Sequence, residues 1–487
     1  MNRTQLGESI VSQSIIKVVQ LVIVACLVCP VYLFAANIYV MGTAADGGNG
    51  SRQHPYNSLA GVELNSTPGD KITVLYSDVA LDGGILLKEG QHLQGEKGKK
   101  DDKHKLPVIT NTSLTTNDGN GIVAAKEARV SFVNVKDVLR SGIFFGNASN
   151  LVIKKNIIEN PNRGAFVGFP VSAAIKGIVA DGAAMNVLIE DNEINANGHN
   201  IPFTRGIYVG TLIGGTITGV VQGNNVSDMN GRAYYPFAYG NGFSDLAFYD
   251  NSARTIGPGN ADSFFIEAAD SGQISVDVKN YFIDNSQIGV LGNPFNHGFE
   301  VWTKPVAVFP GTGTAAKVNV TADQLIIQDS AADGISIWNN SPDSEVSITV
   351  SNSLILRAAG RLTGGLGVVA QLPLLRSGTP LPNQTLTLKV DTTDIIGTLP
   401  GLNLFGLPTA AVHIYTAGSN DVYDLGGGAL GSIGQNRILD NPLDYVTLFN
   451  QVDIFAEHNY YGGGAPSHLN INGDVFFDRY LTEDPRP

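Results

Sequence analysis

The stretches LVIKKNII (Leu151–Ile158) and VLIEDNEI (Val187–Ile194) share one pattern, in which an asparagine separates two short apolar runs. VVQGNNV repeats it, and Asn156, Asn192 and Asn225 are then 36 (192 − 156) and 33 (225 − 192) residues apart. Spacings of this size are typical of solenoids. Further copies are assigned at Asn251, Asn280, Asn352 and Asn436, with Asp323 in the same position.

Asparagine suits a tight corner between two strands because it tolerates the left-handed backbone conformation. Its side-chain amide can also bond to the same amide one coil above and below. A chain that repeats strand, asparagine corner and strand is therefore predicted to wind into a parallel β-helix.

The composition agrees with a β-rich solenoid. The chain has 487 residues with 57 glycines, and only 15% of its residues are charged. The net charge of −13 argues against nucleic-acid binding and against adhesion to an anionic membrane. The basic cluster EKGKKDDKHK (Glu96–Lys105) is interpreted as a solvated loop.

The N-terminal segment is predicted to be an export signal comprising residues 1–36. An almost entirely apolar run, Val18–Ala36, ends in small residues that suit cleavage. Lipidation at Cys26 is the alternative. Cys26 and Cys29 are the only cysteines, so the mature chain is expected to lack disulfides. The protein is expected to be secreted, periplasmic or on the cell surface, with no transmembrane domain after cleavage.

The remaining chain is divided into a capping segment (37–82), a β-helix (83–453) and a closing segment (454–487). The capping segment opens with a strand, a Gly/Asn turn and a short helix within Asn37–Glu63. With the asparagine corners and the closing motif EHNYYGGG, this order resembles the pectate-lyase-like superfamily. The resemblance implies an all-β fold, a right-handed parallel β-helix with an N-terminal cap. Its members include lyases, glycosidases, epimerases, phage tailspikes and non-enzymatic adhesins.

Three strand-like segments can be overlaid as DSFFIE (Asp262–Glu267), HGFEVW (His297–Trp302) and DGISIW (Asp333–Trp338). They begin 35 (297 − 262) and 36 (333 − 297) residues apart. With one coil per gap, equivalent residues lie about 4.8 Å apart in three outward columns. The columns are Asp262, His297 and Asp333; Phe265, Glu300 and Ser336; and Glu267, Trp302 and Trp338. Phe299, Val301, Ile335 and Ile337 are predicted to point inward.

These columns contain the candidate binding residues. Trp302 and Trp338, the only tryptophans, are predicted to form an exposed platform for the flat faces of sugar rings. Arg205 and Tyr208 are expected to extend the first two columns. The alternative is that the loop Thr303–Thr314 covers the tryptophans and makes a satellite core.

The same columns contain candidate catalytic and metal-binding residues. Glu267 and Glu300 could divide general acid and base roles, with His297 nearby. Asp262 and Asp333 could hold Ca²⁺, although no cofactor is required. Their structural alternative is an ordinary role as turn residues. The NTD and RIK boxes of polygalacturonases, the DPH of alginate epimerases and the WIDH of pectate lyases are absent.

The sequence therefore favours recognition of an extended polymer, a polysaccharide or cell-surface glycan, along one face of the solenoid. The alternatives are a polysaccharide lyase or glycoside hydrolase, and a non-catalytic adhesin or structural protein. The oligomeric state is left open.

Overall fold

A computed structural model describes residues 35–96, 105–164, 171–196, 204–256, 262–284, 296–304, 309, 313–359, 364–370, 383–402, 406–415, 420–448, 452–470 and 474–486. The chain divides into two compact units, residues 1–36 and 37–487, and the sheets and strands below all belong to the second unit. The predicted export signal, except Ala35 and Ala36, and most of the basic cluster lie outside the described residues.

The described part of the second unit contains 37 strands in two sheets, in which every strand pairing is parallel. The first sheet has 24 strands, which form two rows. Its first row is β1 (Asn37–Val40), β2 (Lys71–Val74), β4 (His92–Gly95), β7 (Arg129–Ser131), β10 (Leu151–Lys154), β13 (Ala184–Glu190), β16 (Thr216–Gln222), β19 (Phe243–Tyr249), β22 (Gln273–Asp284), β24 (Lys317–Gln328), β26 (Glu345–Ser351), β29 (Thr385–Asp391), β32 (Val422–Asp424), β35 (Ile454–Phe455) and β37 (Val475–Phe476).

The second row is shorter and includes the C-terminal halves of the long strands β22 and β24. Its other strands are β5 (Val108–Ile109), β8 (Asn134–Lys136), β11 (Ile157–Glu159), β14 (Glu193–Asn195), β17 (Asn225–Ser227), β20 (Ser252–Arg254), β27 (Leu354–Leu356), β30 (Asp394–Ile396) and β33 (Arg437–Leu439).

The second sheet has 13 strands and contains the candidate site. Its strands are β3 (Ile85–Leu86), β6 (Ile122–Ala124), β9 (Ile143–Gly146), β12 (Ala173–Val179), β15 (Arg205–Thr211), β18 (Tyr234–Ala238), β21 (Phe264–Ala268), β23 (Phe299–Thr303), β25 (Ile335–Asn339), β28 (Gly364–Ala370), β31 (Ala410–Tyr415), β34 (Tyr445–Leu448) and β36 (His468–Asn470).

Along each coil the chain passes in turn through the second sheet and the two rows of the first sheet. β23, for example, is followed by β24 in the first sheet, and the chain then returns to the second sheet as β25 beside β23. Parallel neighbours need such a long crossover, which one full turn of the coil provides. The predicted parallel β-helix is confirmed.

The main core lies inside the coil, because side chains of a strand alternate between its two faces. Phe299, Val301, Ile335 and Ile337 are all buried in this core, as predicted. Phe264 stacks on Phe299 of the next coil with ring centroids 5.0 Å apart. Each coil thus buries apolar surface mainly against its neighbours.

A ladder of buried asparagines lies at the corner between the two rows of the first sheet. The Nδ2 atom of Asn156 donates to Oδ1 of Asn192 at 2.9 Å, and Nδ2 of Asn192 donates to Oδ1 of Asn224 at 2.9 Å. Asn224 in turn donates to Asn251 at 3.1 Å. Asn436 and Asn459 form the same contact near the C-terminus, at 2.9 Å. The amide ladder satisfies polar groups that would otherwise be buried without partners.

The ladder differs from the predicted one at four positions. Asn224 occupies the ladder position, whereas Asn225 is exposed and belongs to β17. Ser252 pairs with Phe282, so the residue that follows Asn251 in the ladder is Tyr281, not Asn280. Asn352 likewise lies one position before the ladder and Asp323 two positions before it.

The left-handed conformation also falls one residue earlier than predicted. The residue before each ladder position has positive φ, as shown by Lys155 (57°), Asp191 (53°), Gly223 (64°) and Asp250 (54°). The corner therefore separates two tasks. One residue makes the bend, and the asparagine after it bonds to the neighbouring coils.

The N-terminal part begins with the predicted strand, turn and helix. β1 pairs with β2 along its whole length. The helix Leu59–Asn65 starts at Ser58, whose side-chain oxygen accepts from the N–H of Gly61 at 3.2 Å. Leu59 and Val62 on its inner face are buried in the main core. Among the described residues, no helix combines the length and hydropathy needed to span a bilayer.

Candidate functional site

The strand register confirms the predicted stacking of the second and third columns. Glu300 pairs with Phe265 of the preceding coil and with Ser336 of the following one. Trp302 pairs in the same way with Glu267 and Trp338. These residues lie on the face of the second sheet that is opposite to the main core, called the outer face below.

The first column is also formed as predicted. Its residues lie two positions before the first residues of β21, β23 and β25. The main-chain N–H of Ser263 donates to the carbonyl of His297 at 3.0 Å, and that of Gly298 donates to Asp333 at 3.0 Å. Asp262, His297 and Asp333 therefore follow one another on successive coils.

Arg205 and Tyr208 extend the first two columns, as predicted. Tyr208 pairs with Tyr235, and Tyr234 pairs with Phe264, so Tyr235 lies opposite Phe265. By the same register Arg232 lies between Arg205 and Asp262. The first column thus places two guanidinium groups, a carboxylate, an imidazole and a second carboxylate on five successive coils.

The tryptophans do not form an exposed platform. Trp338 is 8% exposed and packs with Tyr415 in an apolar cluster on the outer face. Trp302 is partly buried, with its ring edge-on to Phe265 at 5.9 Å. Phe309, a described residue of the loop Thr303–Thr314, packs against the same outer-face cluster as Trp302, whereas Trp338 is covered by Tyr415 from outside that loop. Residues 305–308 and 310–312 of that loop lie outside the described part.

Asp262 is a buried carboxylate with a strong cationic partner. The Nε atom of Arg232 donates to Oδ2 of Asp262 at 2.9 Å, and Asp262 is 1% exposed. The guanidinium lies 3.3 Å from the ring centroid of Phe265 and 4.9 Å from that of Tyr235. Burial lowers the pKa of Arg232, but the facing carboxylates, Asp262 first, outweigh it and raise this pKa overall. Arg232 therefore stays charged and neutralises Asp262.

His297 lies between two aspartates and is fully buried. Its main-chain N–H donates to Oδ1 of Asp262 at 3.2 Å. Its Nδ1 lies 3.4 Å from Oδ2 of Asp333 and also 3.4 Å from the main-chain nitrogen of Asp333. The hydrogen bond here is the one that the Asp333 N–H donates to Nδ1, whereas the contact with Oδ2 becomes a hydrogen bond only in the tautomer that carries a proton on Nδ1. Nε2 has no hydrogen-bond partner among the described residues.

Glu300 completes a cluster with Asp262 and His297. One potential ligand atom from each of the three residues lies within 4.8 Å of the other two. Burial raises the pKa of Glu300 well above its ordinary value, and the adjacent Asp262 carboxylate raises it further, whereas Arg232 acts in the opposite direction. We call Asp262, His297 and Glu300 the acid–histidine cluster.

Asp333 does not pair directly with Asp262. Two coils separate these aspartates, about 10 Å at the usual strand spacing. His297 lies between them and contacts both. The geometry therefore groups Asp262 with His297 and Glu300 and places Asp333 behind the imidazole.

Glu267 lies in a separate polar pocket beside the aromatic cluster. It accepts hydrogen bonds from the hydroxyls of Tyr235 and Tyr239. The Nζ atom of Lys304 lies 3.3 Å from its Oε1. Burial and the Glu267 carboxylate raise the pKa of both tyrosines, which keeps them protonated as donors.

Four residues of the site were not predicted from the sequence, namely Arg232, Tyr235, Tyr239 and Lys304. A signal for the first two was present, since GRAYYPFA has the same form as ADSFFIEA and Arg232 precedes Asp262 by 30 residues (262 − 232), whereas Tyr239 lies one residue beyond this repeat. The shorter spacing hid this repeat among coils of 35 and 36 residues. Lys304 follows β23 directly, and no pattern distinguished it from a surface lysine.

No model of a protein family matches the sequence, and no curated protein matches it significantly. Solved structures of similar backbone include the catalytic domain of a GH87 alpha-1,3-glucanase variant in complex with nigerose (TM-score 0.44, 11% identity, 83% of this chain and 64% of that one). The chain thus spans slightly less than two thirds of that glucanase domain.

Two further solved structures of similar backbone are named for other activities. One is the A-module of a mannuronan C-5 epimerase from Azotobacter vinelandii (TM-score 0.42, 12% identity, 85% of this chain and 91% of that one). The other is a rhamnogalacturonan lyase (TM-score 0.33, 11% identity, 82% of this chain and 87% of that one). At this level of identity the likeness concerns the coiled backbone.

Proposed function

We propose that the protein recognises an extended polysaccharide along the outer face of the second sheet, between β15 and β25. The observation on which this rests is the first column, where Arg205, Arg232, Asp262, His297 and Asp333 lie on five successive coils; Arg232 is its partly exposed member and the other four are buried. Five coils span about 19 Å at the usual strand spacing, enough for several sugar units. Buried charges reduce stability unless they are well paired, so such a concentration on one face favours a functional role.

The rim of this face offers the groups that sugars bind. Trp302 is half-buried, and part of its ring system is exposed at this rim. The side chain of Lys304 is 36% exposed and that of Arg232 is 15% exposed. An aromatic face beside charged donors can hold the C–H face of a sugar ring and bond to its hydroxyl or carboxylate oxygens.

Affinity electrophoresis in gels containing single polysaccharides tests this proposal. We expect the wild-type chain to be retarded by at least one polymer, and Trp302→Ala to lose the retardation. Phe243→Ala is the matched control, because Phe243 is an exposed aromatic residue on the first sheet. Retardation that depends on Phe243 and not on Trp302 would place the binding surface on the first sheet and refute the proposal.

Cleavage of the bound polymer is a second candidate function, favoured by the placement of Glu300 and Glu267. They are two residues apart along the strands and one coil apart, so their Cα atoms are separated by about 8 Å. Because both side chains leave the same face of the sheet, their carboxyl groups can reach the separation of about 6.5–9.5 Å that inverting glycosidases use. His297 would act as a neighbouring proton carrier.

Release of reducing ends and of unsaturated products distinguishes hydrolysis, elimination and binding alone. We expect Glu267→Gln and Glu300→Gln to lose cleavage and to keep gel retardation. Glu345→Gln serves as the control, since Glu345 is exposed on the first sheet beside Lys317. A wild-type chain that is retarded by a polymer but releases no product from it is a binding protein only.

A polysaccharide target also fits export of the protein. The apolar run Val18–Ala36 supports a signal for secretion, to the periplasm or the cell surface. Fractionation of expressing cells, followed by N-terminal sequencing, is expected to show a chain cleaved near Ala36. An uncleaved chain confined to the cytoplasm would exclude export.

A further inference from the structure

We propose that the acid–histidine cluster, Asp262, His297 and Glu300, binds one divalent transition-metal ion such as Zn²⁺ or Mn²⁺. The inference is independent of the proposed polysaccharide recognition. It rests on the geometry of the three side chains, on the buried state of all three and on the partners of the imidazole.

The spacing of the cluster suits a single ion. One ligand atom from each residue lies within 4.8 Å of the other two. Zinc binds nitrogen and oxygen ligands at about 2.0–2.2 Å, so two ligands of one ion lie at most about 4.4 Å apart. A contraction of a few tenths of an ångström, within the reach of side-chain rotation, brings the three atoms to bonding distance.

Adjacent coils hold these residues on a rigid frame. Glu300 belongs to β23, and His297 lies two residues before that strand. The N–H of Ser263 donates to the His297 carbonyl, and the N–H of His297 donates back to Asp262, which ties the two residues together. Sites built on sheet frames of this kind keep their ligands in place before an ion arrives.

The imidazole is oriented as metal-binding histidines usually are. Such histidines donate the N–H of one ring nitrogen to a carboxylate and coordinate through the other nitrogen. Nδ1 of His297 lies 3.4 Å from Oδ2 of Asp333 and accepts from the Asp333 N–H at 3.4 Å; with an ion on Nε2, Nδ1 would carry the proton and donate to Oδ2. Nε2 is the remaining nitrogen, and it has no partner among the described residues. A bound ion would satisfy it, and Asp333 would be the positioning residue.

The mixture of ligands favours a transition metal over Ca²⁺. One imidazole nitrogen and two carboxylate oxygens suit Zn²⁺ or Mn²⁺, whereas Ca²⁺ takes six to eight oxygen ligands. The ion would also balance the carboxylate of Glu300, which lies beside Asp262 and its guanidinium partner. Oδ2 of Asp262 accepts from Arg232 and Oδ1 accepts from the His297 N–H, and each carboxylate oxygen keeps a second lone pair with which to coordinate.

Calorimetric titration of the full, untagged chain with ZnCl₂ and MnCl₂, after removal of metals by chelation, tests the proposal. We expect one ion per chain in the wild type and no such binding in Glu300→Gln. Asp333→Asn, which changes no ligand, is expected to weaken binding about 10- to 100-fold. Cobalt substitution should give a visible absorption band that Glu300→Gln lacks.

Glu345→Gln is the matched control and should bind as the wild type does. Circular dichroism checks that each variant is folded, and Asp333→Asn keeps the test decisive if Glu300→Gln does not fold. Because the chain also contains Cys26 and Cys29, binding that is unchanged in both Glu300→Gln and Asp333→Asn would show that the ion is held elsewhere. That result, or a wild-type chain without saturable binding of either ion, overturns the proposal. Because the titration contains no polysaccharide, its outcome is separate from that of the gel experiments.

Discussion

Truncation of one ladder asparagine should destabilise the protein strongly, whereas truncation of its neighbour in sequence should not. Asn224 and Asn225 are consecutive and chemically identical, but only Asn224 is buried in the ladder. Asn224→Ala and Asn225→Ala therefore form a matched pair, in which the composition changes equally and only the position differs.

The expected size follows from the hydrogen bonds of Asn224. Its Oδ1 accepts from the main-chain N–H of Asn192 at 3.0 Å and from Nδ2 of Asn192 at 2.9 Å. Its Nδ2 donates to the carbonyl of Ile189 at 3.0 Å and to Asn251 at 3.1 Å. A buried donor left without a partner costs about 1–3 kcal/mol, and each further lost bond about 0.5–1.5 kcal/mol net. Because such terms overlap, we expect Asn224→Ala to cost about 3 kcal/mol.

Asn225→Ala removes one exposed contact, the hydrogen bond from Oγ of Ser252 at 2.8 Å. Changes at such surface positions usually stay within about 0.5 kcal/mol. Equilibrium unfolding in urea, followed both by circular dichroism and by tryptophan fluorescence, measures both variants. Coincidence of the two signals must be checked first, since repeat proteins do not always unfold in one step. Equal losses in the two variants, or a larger loss for Asn225→Ala, would refute the observed ladder register.

Three further predictions concern buried groups elsewhere in the coil. Burial lowers the pKa of His413 from its ordinary value of 6.5 to about 4. Between these two pH values His413 is therefore protonated in the unfolded chain and neutral in the folded one. Its contribution to stability is therefore complete above about pH 6.5 and falls by roughly 3 kcal/mol as the pH drops to about 4. His413→Gln should flatten the urea midpoint across this range, and an unchanged pH profile would contradict the assignment. A Cβ at Gly177 would lie 2.1 Å from the ring of Phe145, so Gly177→Ala should cost about 1–3 kcal/mol in thermal unfolding, and an undiminished melting temperature would argue against this packing. Arg232→Met leaves Asp262 buried without its guanidinium partner and should cost about 3–5 kcal/mol at neutral pH; a loss below about 1 kcal/mol would show that this ion pair is not formed.

The coil could be predicted from the sequence because its period is visible in local sequence patterns. Each coil repeats apolar alternation and a corner, and the overlay of Asp262, His297 and Asp333 required only the spacing between them. Inward positions such as Phe299 and Val301 followed from alternation along one strand. These features depend on neighbours within a few residues or on a regular repeat, so they are visible without coordinates.

The details of the corners were not visible in this way. In the pair Asn224–Asn225 both residues fit the pattern, and the choice depends on which amide meets Asn192 on the preceding coil and Asn251 on the next. Asn280 was assigned to the ladder, although Tyr281 occupies that place. A shift of one residue leaves the local pattern almost unchanged but exchanges a buried partner for solvent.

The candidate site depended still more on the tertiary structure. Sequence spacing placed Trp338 on the outer face, but its burial is due to Tyr415, which lies 77 residues later (415 − 338). The spacing aligned Asp262 with His297, but only the fold shows that Arg232 neutralises Asp262 and that Asp333 lies behind the imidazole. The sequence by itself determined which residues recur on one face, because recurrence follows from the period of the coil. The tertiary structure decided which of them are buried, charged and in contact, because these properties depend on groups that different coils bring together.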